Sequence, residues 1–458
     1  MMPPHIGKTG GESSVRQSND GMLGAMPVPR LVVTMSLPIM LSMLISAVYN
    51  LVDSVYVAQY SDEAFLALSY AYPIQMLLVA FCSGIGVGFS AIFSRRLGEG
   101  DQEQAASAVC HGFFLYGLCC LLFLLFALTG AAPFLRLSTE DPSVARQGAQ
   151  YLLICCGLSI GTCMQFLTER ILQAMGRPAG FMIVQGSGAI LNLILDPIFI
   201  FVLDLGVAGA AAATVIGQIS GALIGFWLVY RLRRQLPIRL RGFRPRGEML
   251  AEMGRVAAPA VVMQSLSSFM SLGLNQLLTR WSQSAVFVLG AYFKLQTFIF
   301  MPIFGISSGL IPILSYNYGS GALRRVSASV RFGQQFTAVL SLSGALLLSL
   351  LASPLLRSAF RASPEALAMG APALRIIALS FFFAGTSIIF CSAFQSLGRS
   401  RWSLLVALLR QILLLLPAAA LLLALKPALV WAAFPLSELI SCFAAALLYR
   451  RTIQKQLL

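Results

Sequence analysis

The sequence predicts an all-α polytopic membrane protein of twelve transmembrane helices, arranged as two parallel six-helix repeats. Three observations predict it. First, of 458 residues 58% are hydrophobic and 11% charged. Soluble globular chains carry about 45–50% apolar and about 25% charged residues, so too few polar side chains remain to cover a water-soluble surface of this size. Second, apolar stretches of about 20 residues or more, long enough to cross a ~30 Å hydrocarbon core as helices, recur along the whole chain. Third, the second half repeats the first at a nearly constant offset.

In chain order, residues 1–29 are polar and rich in Gly, Ser and Pro, with no apolar core of signal-peptide type, and read as a disordered cytoplasmic tail. Six spans follow at roughly 31–58, 65–93, 105–131, 145–172, 181–203 and 207–230, making an N-terminal lobe of residues 30–230. The longest polar interruption, 231–255, is strongly basic and reads as a cytoplasmic linker. Spans at 256–279, 285–315, 327–352, 366–394, 402–424 and 428–449 make a C-terminal lobe of residues 256–450, and 451–458 form a short cytoplasmic tail.

The repeat is in register at its glycines and prolines. A shift of 221 places Pro38 on Pro259, Gln75 on Gln296, Gly84 on Gly305, Gly88 on Gly309, Gly98 on Gly319 and Gly100 on Gly321. A shift of 222 pairs Gln173, Gly176 and Arg177 with Gln395, Gly398 and Arg399. Six spans return the chain to the side it started from. The halves are therefore parallel, related by an axis along the membrane normal.

Net charge is +15, yet the basic residues lie in short loops, not on one patch interleaved with aromatics, so a nucleic-acid partner is not expected. With the N-terminus inside, 21 of the 32 Lys and Arg fall on the cytoplasmic side, six outside, and five within or at the ends of spans. That asymmetry puts both termini in the cytoplasm of a plasma-membrane protein. Nine cysteines lie in or near apolar stretches without CxxC or Cys/His spacing, and read as small buried residues, not ligands. With only His5 and His111, the chain has little material for a histidine metal site or a triad. No cofactor or resident metal is expected. An intramembrane enzyme would need such a constellation, and the chain is read as no enzyme.

Acids inside spans are costly, about 2.5–3.5 kcal/mol each on insertion scales, and mark function. Asp53 lies near the outer end of the first span, with Asn50 and Tyr49 at helical spacing. Asp196 lies in the fifth span, one turn after Asn192 and just before Pro197. Pro197 cannot donate to the Leu193 carbonyl and pushes it off the helix line. Together these oxygens suit a hard cation or a water, and Thr214 in the sixth span adds a hydroxyl. The shift of 221 puts Leu274 opposite Asp53 and Pro417 opposite Asp196, so this site belongs to the first half alone. Two carboxylates in a dry cavity cannot both stay charged; they share a proton or hold a cation. Plainer roles stay open at this point: Asp53 as a solvated interface residue, Asp196 as the structural partner of a basic residue. Tyr49, Asn50, Gln75, Lys294 and Gln296 are the candidate lining of a substrate cavity, with snorkelling for Lys294 and helix–helix bonding for the glutamines as the alternatives. Glu438, after Pro435 in the last span, reads as a packing or helix–helix bonding residue.

Several stretches resemble the multidrug and toxic compound extrusion (MATE) transporters. They are PIMLSMLISAVYNLVD (Pro38–Asp53), SRRLGEGD (Ser94–Asp101), QAMGRP (Gln173–Pro178), NLILDPIF (Asn192–Phe199), GVAGAAAATVIGQ (Gly206–Gln218) and MPIFGISSGLIPILSYNYGSG (Met301–Gly321). The resemblance runs from about Arg30 onward. It implies export of amphipathic, often cationic organic compounds in exchange for H+ or Na+. It also implies a coupling site in the N-terminal lobe at Asp53, Asn192, Asp196 and Thr214, with Tyr49 beside it. A second branch of that family uses acids in its seventh and tenth spans, and this chain has none there. The expected protein is a monomeric antiporter whose partners are small organic molecules and the lipid bilayer. The alternative is a flippase for a lipid-linked glycan or peptidoglycan precursor, which would favour a cationic cavity built from Lys294, Arg375 and Arg410.

Overall fold

Twelve helical spans account for nearly all of residues 22–232 and 243–454, the residues that the computed structural model describes. They are α1 (Val28–Tyr60), α2 (Asp62–Gly98), α3 (Gln102–Thr129), α4 (Pro142–Gly157 with Ile160–Ala174), α5 (Pro178–Val202) and α6 (Gly206–Arg231). The second set is α7 (Gly247–Thr279), α8 (Gln283–Gly319), α9 (Leu323–Ser358), α10 (Pro364–Ala378 with Phe381–Ser396), α11 (Ser400–Leu425) and α12 (Pro427–Thr452). Both α4 and α10 are broken, each bent by 43°. Lipid-facing side chains are apolar, as on α3, where Leu118, Leu121, Leu122 and Leu125 are exposed.

The expected boundaries need three corrections. Met22–Ala25 is a short helix with Leu23 buried, and α1 begins at Val28, so the end of the presumed disordered tail is structured. Residues 1–21 of that tail lie outside the described residues. The seventh span starts at Gly247, not 256, so the linker's second part is helical. Glu248 and Glu252 therefore fall in the first turns of α7, as Glu365 does in α10, which corrects the expectation of no acids there; residues 233–242 of the linker lie outside the described residues. The last helix runs on through Arg450–Gln454, into the expected C-terminal tail, of which 455–458 lie outside the described residues.

The repeat is visible in the caps and contacts. Ser61 accepts from the Ala64 amide (3.0 Å) to start α2, and its equivalent Ser282 accepts from the Ser284 amide (3.1 Å) to start α8. Asp141 caps α4 and Ser363 caps α10 in the same way. Each lobe has its own apolar core. Across the lobes α2 packs on α7 and α8 on α1, through equivalent glycines. A Cβ on Gly84 would lie 2.7 Å from the Val261 amide nitrogen, and one on Gly305 would lie 2.7 Å from Met40 Cα. Gly88 meets Ala257, and Gly309 meets Ser36. Gly98 abuts the Tyr316 carbonyl, and Gly319 abuts the Arg95 carbonyl. Val261, Ala257 and Tyr316 are themselves the 221-shift equivalents of Met40, Ser36 and Arg95. One patch is used twice, so the lobes meet through a pseudo-twofold, self-complementary contact.

That contact sits toward the basic end of the bundle. Arg96 donates to Glu252 (2.8 Å), Gln264 to the Ser83 hydroxyl (3.1 Å), and Gln173 to the Ser308 carbonyl (2.6 Å). The Arg246 amide donates to His111 Nε2 (2.9 Å), tying the start of α7 to α3. Among the described residues, most of these cross-lobe hydrogen bonds lie toward this end, with Gln264–Ser83 nearer mid-helix, so the basic end is clasped.

Cysteines depart from the local reading in one respect. Cys82 on α2, Cys119 on α3 and Cys163 on α4 bring their sulfurs within 4.8 Å of one another inside the N-terminal lobe, with 3.6 Å between Cys82 and Cys163. Spacing along the chain cannot reveal a cluster built from three helices.

Candidate coupling site in the N-terminal lobe

Four helices of the N-terminal lobe converge on the expected coupling residues. Asp53 on α1 is 8% exposed and Asp196 on α5 is fully buried. Asp53 lies within electrostatic reach of Asp196. The solvated-interface role for Asp53 is thereby corrected, and neither acid has an ion-pair partner among the described residues. Asn192 Nδ2 donates to Asp196 Oδ1 (3.0 Å) and to the Thr214 hydroxyl on α6 (3.3 Å). Asp53 Oδ1, Asp196 Oδ2 and Asn192 Oδ1 are buried and have no partner. Three oxygens of this kind, desolvated and unbonded, are costly unless a proton, a cation or water meets them.

The local chain explains the placement. In α5 Asn192 and Asp196 are one turn apart and face the same way. The helix continues past Pro197 as a widened π-type turn, Ile198–Val202, the kind of irregularity that recurs at functional positions. On α6 the run GAAAATVIGQ is small enough to let α5 approach closely. A Cβ on Gly188 would lie 2.9 Å from the Gly217 carbonyl, and one on Gly217 would lie 2.6 Å from the Gly188 carbonyl. This close approach brings Thr214 to Asn192.

Beside the acids lies a chamber of about 20 Å³, lined by Tyr49, Gln165, Gln185, Gly188, Ala189, Asn192, Thr214 and Gln218. It has room for one water, and its wall is polar enough to hold one. Gln185 Nε2 donates to the Ser46 hydroxyl (2.5 Å), and Thr162 donates to Gln218 Oε1 (2.5 Å). Gln165 Nε2 donates to Glu169 Oε1 (2.9 Å). Tyr49 lies within electrostatic reach of Asp53, Asp196 and Glu169 alike.

The substrate-cavity residues do not assemble around these acids. Of the five, only Tyr49 lines the chamber. Asn50 is exposed, and its amide turns back to the Ser46 carbonyl (2.8 Å), because this bond satisfies the amide along its own helix. Gln75 accepts from Tyr151 within the N-terminal lobe (3.1 Å). On α8, Lys294 is exposed and Gln296 is half-buried with its carbonyl oxygen unpartnered. In the C-terminal lobe, Arg410 donates to Glu438 through Nε (3.0 Å) and Nη2 (2.8 Å), a paired and mostly buried charge. Arg375 is exposed and donates to the Ser349 carbonyl (3.2 Å).

Gln165, Glu169, Gln185 and Gln218 were not singled out from sequence. Glu169 carried a usable signal, because it is an acid inside the fourth apolar stretch. The glutamines carried none, since nothing in α4, α5 or α6 alone states which face meets which.

Two six-span lobes with one internal pseudo-twofold, and a polar chamber inside one of them, define a multi-pass membrane protein of the repeat-built transporter class. The MatE family profile matches residues 38–198 and again 259–421, once in each lobe. The chain belongs to the MatE family of transporters. It is 26% identical over 398 residues to the multidrug export protein MepA of Staphylococcus aureus, covering 84% of this chain and 85% of that protein. It is likewise 26% identical over 417 residues to an FAD transporter of Shewanella oneidensis, covering 88% and 89%. Its fold is similar to the outward-facing conformation of a multidrug resistance MATE family transporter of the MOP superfamily, with TM-score 0.89, 23% identity, and 95% and 97% of the two chains covered.

Proposed function

We propose that this chain is a cation-coupled antiporter. It exports amphipathic, often cationic organic compounds by alternating access, in exchange for H+ or Na+ bound at Asp53 and Asp196. The observation that carries the reading is the pair of buried carboxylates from two helices of one lobe, neither with an ion-pair partner among the described residues, beside a water-sized chamber that Asn192 and Thr214 line. With the basic loops cytoplasmic, both acids lie toward the outer ends of their helices, where a cation arriving from outside meets them first. An empty site holds two like charges in a poorly solvated pocket. A proton or Na+ relieves that repulsion and draws Asn192 and Thr214 around it, so loaded and empty lobes favour different packings. The clasp at the cytoplasmic end is the contact that must break for cargo to enter from inside.

The flippase alternative receives less support, because Arg410 is neutralised by Glu438 and Arg375 is held at a backbone carbonyl. The relatives' names, multidrug export and FAD transport, occur at equal identity and point to different cargoes. Reconstitution in proteoliposomes tests both parts of the reading. With a pH gradient and a Na+ gradient imposed separately, one of them is expected to drive ethidium out against its concentration. Transport that ignores both gradients refutes cation coupling. Movement of FAD in place of ethidium redirects the cargo class.

A further inference from the structure

Coupling places a demand on the N-terminal lobe that the acid pair does not meet. Asp196 lies 18 residues above the basic-end start of α5, about 27 Å at 1.5 Å per residue. An ion bound there has most of the bilayer still to cross. Below it the lobe is polar. Asn192 sits about 21 Å and Gln185 about 10 Å above the start of α5, and Gln165 about 13 Å above the end of α4. Glu169 is lower still, about 7 Å above the end of α4, and is 1% exposed. These residues descend in one file, because Gln165, Gln185 and Asn192 line the same chamber and Gln165 bonds Glu169.

Resting on the coupling reading above, we propose that Glu169 is a second proton-binding site, the inner station that receives the proton from the outer acid pair and releases it toward the cytoplasm. Gln165 Nε2 donates to Glu169 Oε1, which holds the carboxylate as an acceptor. When that amide turns away, the carboxylate opens to the chamber water. The step is a proton exchange: a protonated Asp196 gives its proton to water, the water passes one on to Glu169, and one carboxylate is regenerated as another is neutralised. No other reactant is consumed.

The groups around Glu169 make the ionised state tolerable without trapping it. Arg170 is its chain neighbour and is buried, but residues i and i+1 do not face each other on a helix, and no ion pair joins them among the described residues. Arg170 Nη1 donates to Gln173 Oε1 (2.9 Å), and its guanidinium stacks 5.9 Å from the Phe181 ring of α5. When Glu169 loses its proton, the two adjacent residues sum to zero charge. On the neighbouring helices, Tyr49 of α1 lies within electrostatic reach of Glu169 and Tyr116 of α3 within reach of Arg170; α6 contributes the amide of Gln218 and the hydroxyl of Thr214 to the chamber wall. Gln173, one turn below Glu169, makes the cross-lobe bond to the Ser308 carbonyl. The inner station therefore shares its helix face with the clasp that must open for cargo.

The test uses the full chain in lipid vesicles, with two readouts. Infrared difference spectra between alkaline and acid pH follow the carboxylic C=O bands of buried acids. In the unsubstituted protein a band assignable to Glu169 is expected to titrate, to vanish in E169Q, and to persist in D53N. Ethidium efflux driven by a pH gradient is expected to fall about a hundredfold in E169Q, the scale of one lost proton-transfer group, and to lose its dependence on cytoplasmic-face pH. E169D, which keeps the carboxyl, is expected to restore part of both; it also serves if E169Q does not insert. An infrared spectrum unchanged in E169Q, or efflux with an unaltered cytoplasmic pH profile, overturns the inner station. If D53N itself still transports under the pH gradient, the coupling reading fails, separately from the spectral result. Efflux driven by Na+ alone leaves the antiporter standing and removes Glu169 as its proton station.

Discussion

The two lobes are built from one six-helix plan, yet they treat buried charge in opposite ways. In the N-terminal lobe, Asp53 and Asp196 are buried with no Lys or Arg paired to them among the described residues, beside a polar chamber. Their equivalents in the C-terminal lobe at the shift of 221 are Leu274 and Pro417, and at the shift of 222 Glu169 falls on Cys391. The C-terminal lobe has a mostly buried acid, Glu438, and holds it against Arg410 at 2.8 Å. Arg410 falls on Gly188 at a shift of 222, the residue whose lack of a side chain lets α5 meet α6 beside the chamber. So the same crossing holds an ion pair in one lobe, through one oxygen of Glu438, and a cavity in the other. A paired charge fixes structure; an unpaired carboxylate beside water is available for exchange. On the proposed reading, ion exchange belongs to the N-terminal lobe and the C-terminal lobe lends support.

The largest expected effect is on transport. D53N and D196N, each measured alone in vesicles under the driving gradient, are expected to lose about a hundredfold or more in efflux, with normal insertion and undiminished thermal stability. Loss of folding in both would turn the acids into structural groups and erase the contrast.

The next effect is on stability, and in the other lobe. E438Q strips the partner from a buried Arg410 and is expected to cost about 3–5 kcal/mol, seen as a lower unfolding temperature in detergent. The double substitution R410M/E438L is expected to recover most of that loss, with efflux retained. A stable E438Q that cannot transport would move function into the C-terminal lobe.

A third effect tests the symmetry between the lobes. G84V and G305V intrude on equivalent cross-lobe contacts, at Val261 and Met40, and are expected to weaken the clasp to a similar degree. Labelling of a cysteine placed at Ser308 measures it. Strong opening by one variant and none by the other breaks the pseudo-twofold description. The smallest effect is at Thr214, which only shares the Asn192 amide. T214V removes one hydrogen bond, about 1 kcal/mol, so the concentration of the coupling ion giving half-maximal rate is expected to rise about fivefold at unchanged maximal rate.

Much of this contrast can be read from residues alone. Twelve apolar stretches state the spans, and the shift of 221 states the repeat. The mismatch of Asp53 with Leu274 assigns the acids to one lobe. Asn192 four residues before Asp196 already implies a shared face, and the structure joins them at 3.0 Å. Other features lie beyond one-helix reasoning. Helical spacing puts Asn50 on the face of Asp53, but its amide finds the Ser46 carbonyl nearer than any site ligand. The Arg410–Glu438 pair, the cysteine trio and the Gln165–Glu169 contact with the chamber depend on which helices become neighbours. Periodicity reports a face and is silent about what meets it.

The claim beneath the comparison is that Asp53 and Asp196 form one coupling site. Efflux under a single imposed gradient, compared among the unsubstituted chain, D53N, D196N and the double variant, tests it most directly. Groups acting as a unit lose everything with the first substitution, so the double variant is expected to be no slower than either single one. Losses that multiply, with the double variant far slower than both, would show two independent groups and contradict a shared site.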